Sequence, residues 1–548
     1  MEPIVPGSIL HQVSAPKATI GYKYVHIDRT TKQVQEAEPF DRTPDDNDKD
    51  DDGDDNDGLN EFYGRSWTHR TVKTFNPVDA FPQAYNRRPA PILHPDNEIP
   101  TFHIQAPQDD IDRLHGYYLQ DIDIKANITY ITSTDALHFA DTKLKLSGRS
   151  TRLLTKLSYS INLPKKSSID GYRKIKLRAC GTDPSYIREK LAYDMLSAVG
   201  RPGARNNFIR LFINNRAVGL FLLVERYDDN WLQNEFGSGK TSYENGILYQ
   251  GEGMQRDNRH AADLSFHGND PTYYQSSAYS VTEKPKVATD NLDEDLISFT
   301  KFIDDQLKLD KRSVNSNTTV NAWNDQIDIN GYFLNLAMDF LMGNFDNYVQ
   351  NTNNYFLYKD PIKKRFIYIN WDMDMVLGSG PVALRQLIKG DYHQYKGIDL
   401  RPLTKASLAV PQLRQVFESQ LAIVVQQVFH PNISFPVIDS LVAFLQEDIQ
   451  WDQSLPRMRQ GINFVPFGPH NIDNWFHNNS TGNTVSLPLT IDFIVAADYL
   501  IRVNEDIPFQ RAIEGPIHHS SLYPLKLWFS KKTNNVLSFI SSSSSLFS

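Results

Sequence analysis

The segment from Gly343 to Gly378 contains the acidic and amide side chains that most restrict how this chain can fold. It reads GNFDNYVQNTNNYFLYKDPIKKRFIYINWDMDMVLG, and four residues separate Asp346 from Asn351. In phosphotransferase catalytic loops, this spacing places a carboxylate that takes the acceptor proton beside an amide oxygen that binds a metal. Four intervening residues allow a loop to bring both groups to one point, so we expect a loop here.

A β-hairpin is predicted within the same segment. Residues Asn354–Tyr358 and Phe366–Asp374 are rich in aromatic and β-branched residues, and the residues between them are polar. Asp372 and Asp374 are two residues apart, so in an extended backbone both point to one face. With the amide oxygen of Asn351 they form an all-oxygen donor set suited to Mg²⁺ or Mn²⁺. Each motif alone is common in ordinary turns. The prediction of a metal site therefore rests on the order of the two motifs around one hairpin.

Nine positions of this segment form the pattern N-x-D…N…N-Y-x-x-Y followed by W-D-x-D. They are Asn344, Asp346, Asn351, Asn354, Tyr355, Tyr358, Trp371, Asp372 and Asp374. The pattern resembles the spore-coat protein H (CotH) kinase family, including its fungal, mucoralean branch of surface proteins and invasins. Three upstream blocks, Ser147–Tyr159, Lys176–Asp194 and Phe212–Glu225, are also similar to that family. The resemblance implies an atypical protein-kinase-like fold, Asp346 as catalytic base and Asp372 or Asp374 as metal ligand.

The expected architecture is therefore an α+β, two-lobed kinase-like fold. Strand patterns dominate from Thr101 to Val224 and are interrupted by one predicted helix from Asp183 to Val199, whereas helical patterns dominate beyond Asp293. We expect four regions: a partly disordered, β-like extension at 1–97, a β-rich N-lobe at 98–228, a mainly helical C-lobe at 229–530 containing the 343–378 segment, and a serine-rich tail at 531–548.

Nucleotide binding in such a fold needs a lysine for the phosphates and a helix glutamate that holds the lysine. Lys156 and Lys176 are the candidates, and Lys156 is favoured because it belongs to a family-like block. Glu189 on the predicted helix is the expected partner. The usual G-x-G-x-x-G loop is absent, which leaves Arg149 as a candidate for phosphate contact, and Glu225 lies where a hinge between lobes is expected. For each residue the alternative is an ordinary surface charge or ion pair.

Composition restricts the partners. The formal charge of −9 argues against nucleic acid as the main partner, and much of that charge lies in Asp45–Asp57, an acidic run that is expected to be disordered. The single cysteine, Cys180, excludes an intramolecular disulfide. Neither a signal peptide nor a membrane span is visible. Five N-x-S/T sequons favour secretion weakly, at Asn127, Asn317, Asn432, Asn478 and Asn479.

The leading interpretation is a protein kinase that uses ATP with Mg²⁺ or Mn²⁺ to phosphorylate Ser/Thr residues of secreted or surface proteins of the spore-coat type. In it, Asp346 takes the acceptor proton and Asn351, Asp372 and Asp374 hold the metal. The alternative is a surface adhesin or invasin that uses the same scaffold to bind a host-cell receptor. The clustered acidic residues favour the enzyme, and the missing glycine loop favours the binding protein. By the family resemblance, a secreted, cell-surface or spore-coat location is expected.

Overall fold

The computed structural model describes residues 1–16, 18–43, 59–83, 85–148, 150–253, 261–275, 278–287, 291–309, 317–459 and 488–544. The acidic run Asp45–Asp57, the candidate Arg149 and the sequons at Asn478 and Asn479 lie outside these residues.

Within the residues that the structure describes, the strands form four sheets. In chain order they are β1 Glu2–Pro3, β2 His11–Gln12, β3 Val25–Ile27, β4 Val34–Ala37, β5 Thr101–Gln105, β6 Asp123–Ile131, β7 Ala136–Ser147, β8 Ser158–Asn162, β9 Lys174–Arg178, β10 Asn206–Ile213, β11 Arg216–Glu225, β12 Leu248–Gly251, β13 Tyr279–Glu283, β14 Tyr355–Lys359 and β15 Phe366–Asn370. β1 pairs with β2 and β3 with β4, β5 to β11 close into a barrel, and the fourth sheet has the order β13-β12-β14-β15.

The helices lie mostly in the second half of the chain. They are α1 Gln108–Gly116, α2 Arg188–Ala198, α3 Asp229–Phe236, α4 Thr272–Gln275, α5 Glu294–Leu307, α6 Asn317–Gln326, α7 Ile329–Met342, α8 Tyr348–Asn351, α9 Leu384–Leu387, α10 Pro402–Leu408, α11 Pro411–Val424, α12 Pro431–Ser454, α13 Phe493–Arg502, α14 Phe509–Glu514 and α15 Leu525–Ser544. Short 3₁₀ turns occur at Ser150–Leu153 and Tyr392–Gln394, and a π turn at Val425–Phe429 joins α11 to α12.

The barrel is closed by one parallel pairing. Its strand order is β10-β11-β9-β8-β7-β6-β5, and all neighbours are antiparallel except β5 and β10, whose residues Thr101 and Arg210 are in register. Side chains alternate between buried and exposed along the first half of β6, as expected for a strand with one face in the core. By contrast, β11 is buried continuously from Val218 to Glu225, because α12 packs against it.

The expected two-lobed kinase-like architecture is wrong. The β-rich part closes into a seven-stranded barrel instead of the open sheet of a kinase N-lobe. The part that follows contains a four-stranded sheet, whose strands β12 and β13 precede helices α5 to α8 and whose strands β14 and β15 follow them. The α+β class itself holds. The error has a physical cause: strand patterns show which segments are extended, but barrel closure depends on the pairing of β5 with β10, about one hundred residues apart in the chain.

Helix α12 fastens the second half of the chain to the barrel through buried ion pairs. Asp448 accepts from Arg210 on β10 at 2.5 Å, and one turn later Asp452 accepts from Lys156 at 2.7 Å. Among the described residues no single helix is long and apolar enough to cross a membrane; α11 with its π turn and α12 together meet that criterion, with a 42° bend between them.

Candidate functional site

Asp346 lies in a tight turn at the end of α7. This helix is buried along nearly its whole length and ends at Gly343, whose φ of 63° is a left-handed conformation that glycine adopts without strain. A Cβ at Gly343 would lie 2.5 Å from the ring of Trp528, so the approach of α15 also requires glycine. After the turn, the side chain of Asn344 donates to Asp339 at 2.9 Å and accepts from the backbone N–H of Asp346 at 3.2 Å.

Three side-chain amides hold the carboxylate of Asp346. Asn351 and Asn353 donate to Oδ1 at 2.6 and 3.1 Å, and Asn354 donates to Oδ2 at 2.8 Å. Asn354 also donates to the backbone carbonyl of Asp346 at 2.9 Å. The side-chain oxygen of Asn353 accepts from the N–H of Gly253 at 3.0 Å, which connects the turn to the segment after β12. The structure thus brings the predicted pair Asp346 and Asn351 together and adds two further amides.

The acidic pair Asp372 and Asp374 follows β15 and lies beside this turn. The backbone N–H of Trp371 donates to the carbonyl of Asn354 at 3.0 Å, so the two segments are joined directly. Asp372 has a φ of 57° and is therefore not part of an extended strand. Both carboxylates nevertheless face Arg178 at the end of β9, which donates to Asp372 and lies 3.6 Å from Asp374.

Arg178 also binds Glu189 in the first turn of α2. Its Nε donates to both carboxylate oxygens at 2.9 and 2.8 Å, and its Nη2 donates to Oε1 at 2.8 Å. Lys176, two residues earlier on β9, places its Nζ 3.7 Å from Asp372 and 5.5 Å from the centre of the Trp371 ring. One strand of the barrel therefore supplies both cations of the site, and the predicted glutamate is paired with an arginine instead of a lysine.

Burial and neighbouring charges separate the pKa values of the three aspartates. Burial raises the pKa of Asp346 to about 6, and the charge of Asp372 contributes in the same direction. Burial also raises the pKa of Asp374 to about 7, with Asp372 adding to the increase against the opposing effect of Arg178. Burial would raise the pKa of Asp372 too, but Arg178 and Lys176 lower it to about 2. The two cations thus favour the ionised form of Asp372, whereas burial and the neighbouring negative charge favour the protonated form of Asp374.

The donor set fits a hard divalent cation that is shared with a phosphate ligand. Asp372, Asp374 and the amide oxygen of Asn351 are the oxygen donors that Mg²⁺ and Mn²⁺ prefer. Within the described ranges, no three His, Cys, Asp or Glu side chains gather closely enough to hold an ion by themselves. Mg²⁺ sites built from one or two carboxylates and substrate phosphates need no third carboxylate.

Two other predicted residues lie in separate ion-pair networks. Lys156 donates to Asp452 and to the carbonyl of Leu220 at 2.5 Å. Glu225 is completely buried, and its Oε1 lies 3.2 Å from the His94 ring and 3.3 Å from Arg205. The described contacts of these two residues do not include Asp346, Asp372 or Asp374. Arg149 lies outside the described residues.

Sequence reasoning missed Arg178 and Asn353. The signal for Arg178 was present, because Lys174, Lys176 and Arg178 alternate along a predicted strand and so share one face. Asn353 carried no signal of its own, since an asparagine in a turn commonly bonds to neighbouring backbone groups.

The family model "CotH kinase protein" matches residues 144–462, more than half of the chain. Among curated relatives, "Invasin CotH3" of Rhizopus delemar is 23% identical over 416 residues, which cover 74% of this chain and 66% of that protein. "Spore coat protein homolog 1" of the same fungus is 28% identical over 313 residues, which cover 56% of this chain and 47% of that protein. "Inner spore coat protein H" of Bacillus subtilis is 22% identical over 298 residues, 53% of this chain and 72% of that protein.

The match spans less than two thirds of the length of each of the two Rhizopus proteins. The family model covers the strands from β7 to β11, both cations on β9, the asparagine-bound Asp346 and the acidic pair. Because that model spans most of the chain and includes every side chain of the cluster, the chain belongs to the CotH family, in its fungal branch.

Proposed function

We propose that this protein transfers the γ-phosphoryl group of ATP to Ser/Thr hydroxyls of proteins at a spore coat or cell surface. One observation carries the proposal: the carboxylate of Asp346 is fixed by three amides beside a cluster that combines two cations with two further aspartates. Phosphoryl transfer is catalysed mainly by positioning and by charge stabilisation, and this cluster offers both.

Asp346 is suited to the role of general base. A carboxylate offers about four lone-pair sites, and the amides of Asn351, Asn353 and Asn354 use three of them, which leaves room for one acceptor hydroxyl. The three donors also fix the direction in which the remaining lone pair points. A pKa of about 6 leaves most of the carboxylate ionised at neutral pH while keeping it basic enough to take the acceptor proton.

Lys176 and Arg178 have different roles in this proposal. Arg178 is committed to Glu189, Asp372 and Asp374, so it orients the acidic pair. Lys176 lies 3.7 Å from Asp372 and is the cation that would neutralise the nucleotide phosphates. Asp372, Asp374 and Asn351 would hold Mg²⁺ or Mn²⁺, which would bridge the phosphates and neutralise charge during transfer.

A surface role without catalysis is the second candidate. Three matched relatives carry the name invasin and two are named as spore coat proteins, so a coat or surface location is proposed for this chain as well. In this case the partner would be a host-cell receptor instead of a protein with a Ser/Thr acceptor. The names favour this role, whereas the clustered carboxylates favour catalysis, because like charges gathered in one place are costly without a cation.

The deciding experiment measures incorporation of labelled γ-phosphate into the protein itself and into a generic acidic protein, with Mg²⁺ and with Mn²⁺. Asp346→Asn is expected to lower incorporation by about 10²–10⁴-fold, the usual contribution of a general base. The matched control is Asp360→Asn in the turn of the same hairpin, where the carboxylate accepts from the backbone N–H groups of Ile362 and Lys363. This control should keep wild-type incorporation.

Nucleotide binding is tested separately by thermal unfolding with ATP and Mn²⁺, since a ligand specific for the folded state raises the melting temperature. If wild type and Asp346→Asn incorporate no label and nucleotide stabilises neither protein, the kinase proposal is rejected in favour of the surface-binding role.

A further inference from the structure

His519 lies between two carboxylates at the edge of the second half of the chain. Its Nδ1 is 2.9 Å from Oδ1 of Asp498 on α13, and its Nε2 is 3.1 Å from Oε2 of Glu505, just beyond that helix. A neutral imidazole carries one N–H, so it can donate to only one of these carboxylates while presenting a lone pair to the other. A protonated imidazole donates to both. The geometry therefore fits the charged form of the ring and opposes the neutral form.

The segment that carries His519 pairs with the loop behind the acidic pair. We call residues 516–523 the strap. Leu522 of the strap bridges antiparallel to Ser379, Gly380 donates its N–H to the carbonyl of Ser521 at 3.1 Å, and Tyr523 donates its N–H to the carbonyl of Gly378 at 2.7 Å. Gly378 is four residues after Asp374, so the strap adds a short strand to the segment that leaves the candidate site.

The strap has its own anchoring points. The N–H of Ser521 donates to Oδ2 of Asp498 at 2.8 Å, so the same carboxylate binds both His519 and the strap backbone. Leu522 belongs to a small hydrophobic cluster that is separate from the main core; its other members are Ile507 and Ala512, with Ile517 packed against them. Tyr523, the last residue of the strap, packs instead against the main core, and its carbonyl accepts from Arg188 at 2.7 Å. The part that can open locally without unfolding the barrel is therefore residues 516–522.

The charged groups around the ring define how the strap responds to pH. Asp498 and Glu505 face the imidazole, while Arg502 on the same helix is committed to Ser521, Ser379 and the carbonyl of Thr182. The pKa of Asp498 is lowered: burial opposes this, but hydrogen bonds from Ser521 and His519 outweigh it. Asp498 therefore stays ionised in mildly acidic solution, where a histidine side chain is protonated.

We propose that the strap is a proton-dependent latch: protonated His519 bridges Asp498 and Glu505 and fixes the strap against residues 378–380, and deprotonation releases it. Because the contact with both carboxylates needs the charged imidazole, it is present while the ring is protonated and is lost when the ring gives up its proton. At the acidic limit, the contact fails when Asp498 takes up a proton. Through this latch, pH would control how well ordered residues 378–380 are. The proposal does not depend on the proposed kinase activity.

Hydrogen–deuterium exchange of the full chain tests this proposal. Protection in peptides covering 376–382 and 516–523 is measured at pH 5.5 and pH 8, corrected for intrinsic exchange rates, with peptides from the barrel strands as the reference. We expect about tenfold higher protection at pH 5.5 in the wild type. The difference should fall in His519→Gln to the part that other groups contribute, and persist in full in His518→Gln, a change at the exposed neighbouring position.

Glu505→Gln supplies a second test that does not depend on the folding of His519→Gln, because Glu505 is about half exposed. It should reduce the pH-dependent part of the protection, since the ring then faces one carboxylate instead of two. Titration of Asp374 also changes the local stability of this loop with pH, but that contribution remains in both variants. Equal protection at the two pH values in the wild type, or unchanged pH dependence in His519→Gln, would overturn the proposal.

Discussion

Two buried charge clusters connect the barrel to the second half of the chain, and they differ in how their charges balance. At α12, the single carboxylate of Asp452 receives Lys156 at 2.7 Å, Arg457 at 3.2 Å and the hydroxyl of Tyr186 at 2.6 Å. At the candidate site, Arg178 and Lys176 face several carboxylates: Glu189, Asp372 and Asp374, with Asp346 close by. The first cluster has more cations than carboxylates, and the second has fewer.

The pKa of Asp452 and the pKa values of Asp346 and Asp374 shift in opposite directions. Burial favours the neutral form of any carboxyl group, yet the pKa of Asp452 is lowered because Lys156 and Arg457 outweigh burial. The pKa values of Asp346 and Asp374 are raised by the same burial, because the nearby cations do not compensate for it. A buried carboxylate that is surrounded by enough cations, as Asp452 is, stays ionised without a group from outside the protein. A cluster with more carboxylates than cations has an unbalanced negative charge that a bound cation would neutralise. We use this difference to distinguish an ion pair that stabilises the fold from a candidate binding site.

The largest expected effect comes from removing the single carboxylate of the α12 cluster. Asp452→Asn leaves Lys156 and Arg457 buried without a counter-ion and should lower the free energy of unfolding by about 3–5 kcal/mol. The matched change, Asp374→Asn, removes a carboxylate from the cluster with excess negative charge and should leave stability at pH 7 unchanged or slightly higher. Urea unfolding of both variants measures the difference. Comparable destabilisation by the two changes would contradict the distinction between the clusters.

The two candidate lysines provide a sharper comparison. If Lys176 neutralises nucleotide phosphates, Lys176→Met should lower phosphoryl transfer by about 10²-fold and have a small effect on stability. Lys156→Met should do the reverse: it should lower the urea midpoint and keep transfer per folded molecule near the wild-type value, because Lys156 is bound to Asp452 and Leu220.

Steady-state kinetics with varied ATP, scaled to the folded fraction, separate the two variants. A stable Lys156→Met variant that no longer binds ATP would return the nucleotide role to Lys156. If both variants keep phosphoryl transfer, Lys156 and Lys176 do not contact the phosphates.

Local structure was largely predictable from the sequence. β9 lies within the predicted strand region from Thr101 to Val224, and the predicted hairpin corresponds to β14 and β15, although the second strand ends at Asn370, before Asp372. These elements follow from alternation and turn composition, which depend on neighbouring residues alone. The helix that carries Glu189 was also visible, but in the structure it begins at Arg188, after a turn in which Asp183 is bound by Arg188.

Long-range partners could not be read from the sequence. The sequence around Lys156 does not indicate that its partner is Asp452, which is almost three hundred residues away in the chain. The strand position and family similarity of Lys156 pointed equally well to a nucleotide or to an internal ion pair. The pairing of Glu189 with Arg178 was unpredictable for the same reason. Lys176 and Arg178 lie on one face of β9, and only the packing of α2 against the strand determines which of them binds Glu189.

The smallest expected effect is a difference in pH dependence. Asp346 and Asp374 have raised pKa values of about 6 and 7, so between pH 4 and 7 the folded state binds more protons than the unfolded state. Their contribution to stability therefore falls as the pH rises through this range. Asp452 has a lowered pKa, and its contribution is present above pH 4 and lost at lower pH. The pair Asp346 and Asp374 and the single Asp452 should thus give pH slopes of opposite sign, and Asp372, whose pKa is also lowered, should behave like Asp452.

Urea unfolding of the wild type between pH 5 and 8 should show a decrease in the free energy of unfolding with rising pH, and the double variant Asp346→Asn, Asp374→Asn should remove that decrease. The double variant isolates these two carboxylates from every other group that titrates in this range. Adding Mn²⁺ with ATP to the wild type should also flatten the slope, because a bound cation stabilises the ionised carboxylates and lowers their pKa values. A slope that survives in the double variant would assign the pH dependence to other groups and remove the electrostatic evidence for excess carboxylate at the site.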